Sequence, residues 1–297
     1  MPHQPDVNEP TVHTPVLLEE AIRFLVGDER GFYVDLTLGM GGHTQALLER
    51  FPQARCLGLD RDPQSLELAR ERLQKWGDRV TLKAANFAQV DHVLAGINQE
   101  KVSGMLFDLG LSTVQILNSG LGLSYQKDEP LDMRLDRTPQ TPSAAELLAG
   151  LSAPQLERLL TDYGELPRPL ARKIARCLSS GPIKTTGRLI ECLQTVTANR
   201  GLWARVFQAL RIAVNREMEN LERMLETAPR RLAAGGRLVG ISFHSLEDRL
   251  VKRAFRRLAA EESARLLTRS PVVAGPDEVR NNPKSRSAKL RALEMTR

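Results

Sequence analysis

Phe32-Tyr-Val-Asp35-Leu-Thr-Leu-Gly39-Met-Gly41-Gly42-His43-Thr44 runs a short apolar segment into a glycine-rich turn and on into helix-patterned residues, Thr44 to Phe51. Strand, tight turn and helix in that order form the first unit of an alternating α/β chain. The alternation continues. Arg55-Cys-Leu-Gly-Leu-Asp60 reads as a second strand, and Pro63 opens a helix with Leu66, Ala69 and Leu73 at helical spacing. Arg79 to Lys83 is a third strand, Gln89 to Ala95 a helix and Val102 to Phe107 a fourth strand. Strands alternating with helices predict a parallel sheet covered on both faces.

Residues 118–204 break that pattern. They hold turn-rich pieces such as Asn118-Ser-Gly and Asp128-Glu-Pro130, then short amphipathic helices beginning near Ser152, over Leu170 to Leu178 and over Thr186 to Val196. This reads as a helical insertion. One long helix is expected over Ala204 to Leu232, with Val206, Leu210, Ala213, Val214, Leu221 and Leu225 on one stripe. Ala234 to Phe243 is a glycine-started buried strand and Leu246 to Leu258 a basic helix. Two extended pieces, Leu267 to Val273 and Ser287 to Leu293, follow.

The 297 residues are 41% hydrophobic and 26% charged, ordinary for a globular chain and against a disordered or membrane class. The net charge of +6 conceals a split: residues 1–150 carry a net of −7 and residues 151–297 a net of +13. That asymmetry points to a nucleic-acid surface on the second half, or to solvated arginine-rich helices. Cys56, Cys177 and Cys192 are far apart in sequence and offer no metal-ligand spacing, which reads as a reducing compartment and no metal. The polar N-terminus lacks an apolar signal core, so a cytoplasmic protein without a membrane partner is expected.

Four acidic or aromatic positions fall at predicted strand ends, where open parallel sheets bind ligands. Asp35 precedes Gly39, Gly41 and Gly42, and a carboxylate there suits a cationic ligand tail better than a pyrophosphate. The spacing also lacks the full dinucleotide fingerprint. Asp60 stands about 20 residues on, where an acid bonds a ribose diol, although Asp60 or Asp62 could equally cap the helix at Pro63. Phe87 could stack on a base or sit in the core. Asp108-Leu-Gly-Leu-Ser112-Thr-Val-Gln115 follows the fourth strand. Leu131-Asp132-Met-Arg134-Leu-Asp136 reads as a self-paired polar loop at the mouth of the site. Ser242-Phe-His244-Ser245-Leu-Glu247-Asp248 offers a histidine that could titrate near neutrality, or an ordinary helix cap at Ser245 with Asp248.

These strings, in this order, resemble the bacterial ribosomal RNA small-subunit methyltransferase H (MraW-type) family. The resemblance runs from His13-Thr-Pro-Val-Leu-Leu-Glu-Glu20 to Arg286-Ser-Ala-Lys-Leu-Arg291 and includes Phe207-Gln-Ala-Leu-Arg-Ile-Ala-Val-Asn215. It implies a Rossmann-like class I methyltransferase sheet of seven strands, the last antiparallel, with an inserted all-helical domain. The methyltransferase domain would then be residues 1–117 and 205–297, with 1–10 a loose tail, and 118–204 the substrate-recognition insertion. It also implies S-adenosylmethionine as cofactor and N4 of a cytidine in 16S ribosomal RNA, within the small subunit or a late precursor, as substrate. A homodimer is compatible with the sequence. Family cofactor positions fall on Gly41, Gly42, His43, Asp60, Phe87, Asp108 and Gln115, beside Asp35 and Gly39 from the turn itself. Asp108 and the loop to Ser112 are expected to orient the amine, with Asp132, Arg134 and His244 as further pocket residues. The rivals are a nicotinamide-dependent oxidoreductase and a non-catalytic RNA-binding assembly factor.

Overall fold

The computed structural model describes residues 14–111, 120–136, 138 and 140–297. Before the expected first strand lies a helix that the sequence reading did not assign, α1 (Leu18–Leu25), followed by β1 (Phe32–Asp35) and α2 (Gly42–Arg50). Then come β2 (Arg55–Asp60), α3 (Pro63–Leu73), β3 (Val80–Ala84), α4 (Val90–Gly96) and β4 (Val102–Asp108). A helical stretch follows: α5 (Ala144–Gly150), α6 (Ala153–Asp162), α7 (Arg168–Leu178), α8 (Thr186–Val196), α9 (Arg200–Asn215) and α10 (Glu217–Thr227). The chain closes with β5 (Leu232–Ser242), α11 (Ser245–Ala260), β6 (Ala264–Leu266), the short helix α12 (Pro276–Asn281) and β7 (Lys289–Met295).

The seven strands form one sheet in the order β3-β2-β1-β4-β5-β7-β6. Neighbours from β3 through β5 pair in parallel, and β7 runs antiparallel to both β5 and β6. This is the Rossmann-like α/β sheet with an antiparallel last strand. The order reverses between β1 and β4, and a crevice opens at such a point beyond the carboxyl ends of the strands.

Alternation along each strand feeds two cores. Tyr33, Cys56 and Leu106 enter one cluster with α1, α2 and α3, while Val34, Leu57, Met105 and Phe107 enter the other with α4, α10 and α11. A third cluster joins Leu131 and Met133 to buried residues of α5 through α9. Cys177 on α7 and Cys192 on α8 meet as a disulfide with Cα atoms 5.9 Å apart. This corrects the expectation of separate cysteines in a reducing compartment: the turn that brings α8 back onto α7 is invisible in their spacing.

The single long helix expected over Ala204 to Leu232 is two helices. Arg216 adopts left-handed backbone angles (φ 49°, ψ 44°) between α9 and α10. Asn215 beside it holds a distant loop: its amide donates to Met133 O at 2.8 Å and its Oδ1 accepts Leu135 N at 3.0 Å. Chain otherwise fated to stay helical is thus bent so that Glu217 starts a new helix. The extended piece expected as a strand over Leu267 to Val273 is not one: β6 lies just before it, ending at Leu266, and within the piece only Val272 makes an isolated bridge, to Leu290. Among the described residues no helix is long and apolar enough to cross a membrane.

Candidate active site

A cleft of about 440 Å³ opens at the carboxyl ends of β1, β2 and β4. The turn after β1 forms its floor. Gly39 and Gly41 take φ values of +52° and +77°, and a Cβ on Gly42 would lie 2.4 Å from Pro15. Gly39 and Gly42 line the cleft, while Gly41 sits just behind, packed on Leu73 and Ala69. His43 lines it too, its Nε2 donating to Val16 O at 3.1 Å.

Asp35 is placed differently from the reading that gave it to a cationic ligand. It is 4% exposed and does not line the cleft. Its carboxylate accepts Thr44 Oγ1 at 2.8 Å and Thr37 N at 3.3 Å, so it braces both ends of the glycine turn. Burial pushes its pKa up to about 6.

Asp60 ends β2 on the cleft wall. It accepts Gly39 N at 2.8 Å and Asp62 N at 2.9 Å. The helix cap is supplied by Asp62, which accepts Gln64 N at 3.0 Å and Ser65 Oγ at 2.8 Å. That removes the capping alternative for Asp60. Burial raises its pKa, while the two backbone donors pull it back. Phe87 meets both readings: it is partly buried against the second core and also lines the cleft beside Asn86.

Asp108 ends β4 and lines the cleft. Its N–H donates to Thr37 Oγ1 at 2.6 Å, its Oδ2 lies 4.0 Å from His43 Nδ1, and its buried Oδ1 has no hydrogen-bond partner. Burial first, then the nearby charges of Asp35 and Glu247, push its pKa well above the usual carboxylate range, opposed by Lys284. Ser112 and Gln115 lie outside the described residues.

Asp132 and Arg134 do pair with each other, Nε to Oδ1 at 2.6 Å and Nη2 to Oδ2 at 3.1 Å. They stand off the cleft wall, which the adjacent Leu135 reaches. His244 lines the cleft and is itself the cap of α11: its Nδ1 accepts Glu247 N at 3.4 Å. The cap expected from Ser245 and Asp248 is therefore not used. Ser245 donates to Glu165, and Asp248 accepts Arg291 Nε at 2.7 Å.

The sequence reading missed part of the wall. Gln208, Arg211, Glu217, Phe243, Glu247 and Lys284 also line the cleft. Arg211 forks onto Glu217 through Nε at 2.9 Å and Nη2 at 3.0 Å. Gln208 and Arg211 are three apart on α9, so their shared face was readable once that string was placed at the site. Glu217, His244 and Glu247 each bring one potential ligand atom within 4.8 Å of the others. Arg211 already supplies a positive charge to that cluster.

Comparison with known proteins follows the same lines. The profile of the MraW methylase family matches residues 10–296. The chain is 41% identical to the ribosomal RNA small subunit methyltransferase H of Thermotoga neapolitana, over 95% of this chain and 96% of that one. It is 45% identical to the protein of the same name from Sorangium cellulosum, over 94% and 90%. Among solved structures, the N-methyltransferase NodS of Bradyrhizobium japonicum aligns over 94% of each chain at 10% identity with a TM-score of 0.45.

Proposed function

The chain belongs to the MraW methylase family, and from that premise we propose that it methylates N4 of one cytidine in the decoding region of 16S ribosomal RNA, using S-adenosylmethionine. The observation that carries this reading is Asp108 Oδ1, buried and unpartnered, set between chemically different halves of one cleft.

One half suits a nucleoside cofactor. Asp60 keeps lone pairs for ribose hydroxyls, Phe87 offers a ring face to adenine, and the turn at Gly39 to Gly42 lets backbone approach closely. His43 belongs to the same wall, and Gln115 is assigned to the cofactor by resemblance. Asp35 acts through Thr37 and Thr44, holding the turn in shape. Bound there, S-adenosylmethionine supplies an electrophilic methyl on a cationic sulfur.

The other half must handle a poor nucleophile. The cytosine N4 lone pair is delocalised into the ring, so the amine has to be oriented and then relieved of a proton. Asp108 Oδ1 accepts one N4–H. As the amine nitrogen gains its methyl group, its N–H proton passes to Oδ1. A carboxylate pushed above its usual range is a stronger base for that step. Asp132 and Arg134 steady the loop that delivers Leu135, and the base leaves any stack to enter.

Residues 118–204 serve in this reading as the inserted recognition domain for the small subunit or a late precursor. Such a substrate places the protein in the cytoplasm. Methyl transfer from labelled cofactor to small-subunit particles, followed by mass mapping of the modified nucleotide, tests the reading. Label on N4 of a single cytidine is expected; no incorporation, or label on another base, overturns it.

A further inference from the structure

Two buried side-chain atoms among the described residues have no hydrogen-bond partner: Asp108 Oδ1 and His244 Nε2. Buried polar atoms are almost always paired, so two orphans in one cleft call for a common explanation. They sit on neighbouring strand ends. Asp108 of β4 is in register with Ile241 of β5, and His244 follows Ile241 by three residues.

Their hydrogen-bonding senses are opposite. An ionised carboxylate only accepts. His244 Nδ1 accepts Glu247 N–H at 3.4 Å, which leaves the proton of the neutral ring on Nε2 as a donor. Glu247 Oε1 lies 3.0 Å from Nε2, close enough to attract its proton without closing a regular hydrogen bond, so an incoming base shares this N–H with Glu247. Its Oε2 is engaged by Phe243 N at 2.8 Å and His244 N at 3.2 Å, so the carboxylate fixes the backbone that carries the ring. An acceptor and a donor in one cleft complement an edge that offers N–H beside a ring nitrogen. Cytosine presents that edge at N4 and N3. Uracil reverses both senses.

We propose that His244 is a specificity-determining residue, its Nε2–H donating to N3 of the target cytosine while Asp108 Oδ1 accepts from N4. This rests on the reading of the protein as a cytosine-N4 methyltransferase. The pair then selects the base before chemistry, because uracil would leave both buried atoms facing like groups.

Small-subunit particles reconstituted with cytidine or 3-deazacytidine at the target position provide the test. The 3-deaza base keeps the amine and replaces N3 by C–H. In single turnover, the wild type should methylate cytidine about 10- to 100-fold faster than the analogue, the effect of one buried hydrogen bond. H244L should be slow on cytidine and nearly indifferent between the two bases, and H244Q, which keeps an N–H donor, should regain part of the preference. Taking the ratio of ratios cancels the analogue's own reactivity. Cofactor affinity by calorimetry and thermal melting confirm that each variant folds. An H244L enzyme with the wild-type preference between the two bases overturns the inference, and so does stoichiometric zinc binding lost in H244L, since a metal-bound Nε2 cannot donate. No wild-type transfer to cytidine at all overturns the parent reading itself.

Discussion

Asp108 and Asp35 are both buried acids near one turn, yet they face different fates. Asp108 has an orphaned oxygen on the cleft wall, whereas both Asp35 contacts point into the fold. Replacing Asp108 by Asn keeps shape and removes the base. Single-turnover transfer should fall by about 10²–10⁴-fold with little change in cofactor affinity. In the wild type, transfer should rise with pH through an apparent pKa above the ordinary carboxylate range, since only the ionised oxygen accepts. D108N should lack that limb, and a pH profile shared by both enzymes would remove Asp108 from the reaction. Asp35 makes its prediction through stability. Its pKa rises from 3.8 to about 6 on folding, so the fold favours the neutral acid. That contribution is present in full below about pH 4 and is lost as the pH climbs through about 6. The loss is on the order of 3 kcal/mol. Asp60 and Asp108 are raised in the same direction, so the wild-type curve alone mixes all three. Denaturant unfolding at pH 5 and pH 8 should show a smaller pH-dependent loss in D35N than in the wild type. Parallel curves would mean that Asp35 titrates alike in both states.

Strands and helices differ in how openly the sequence declares them. The first four strands were legible to within a residue or two; β1, β2 and β4 are short, almost continuously buried apolar runs ending at a polar tip, Asp35, Asp60 or Asp108. A sheet covered on both faces makes that signal local. The break between α9 and α10 carries no local signal. Arg216 is neither Gly nor Pro, and what holds the bend is Asn215 bonded to backbone about 80 residues away. For the same reason the acidic half of the site was readable and the Arg211–Glu217 wall was not: Glu217 reaches the cleft only because the helix is interrupted. Asn215→Ala should strand Met133 O and Leu135 N without their partner. At about 1–3 kcal/mol for groups left unsatisfied in a buried setting, thermal or denaturant unfolding should register the loss directly. Transfer should drop more than cofactor affinity does, since the loop from Leu131 and the wall at Glu217 move together. An N215A protein of wild-type stability would show the bend to be intrinsic to α9 and α10.

Across the whole molecule, the split between a net of −7 and a net of +13 has a structural meaning. Several cations of the second half are already paired with carboxylates of that same half. Arg172 pairs with Glu157, Arg249 with Glu165, and Lys289 and Arg291 with Asp248. The Glu165 contacts also tie the helical stretch to the first turn of α11, next to His244. Charges engaged in this way hold elements together and are poor candidates for phosphate. On α11, Lys252 is partly buried while Arg253 and Arg256 are exposed, and among the described residues no carboxylate lies within ion-pair distance of any of the three. Their helix starts at His244, so a backbone held along its outer face would run toward the cleft. A triple change of Lys252, Arg253 and Arg256 to Gln should weaken binding to small-subunit RNA and flatten its salt dependence. Each lost phosphate contact lowers the slope of log K against log salt by about 0.7 on single strands and 0.9 on duplex, so a total near 2 to 3 is expected. Cofactor affinity should not change, because these side chains lie outside the cleft lining. An unchanged salt slope, even with weaker binding, would separate α11 from the RNA and move the phosphate track to the exposed Arg168, Lys173 and Arg176 of α7.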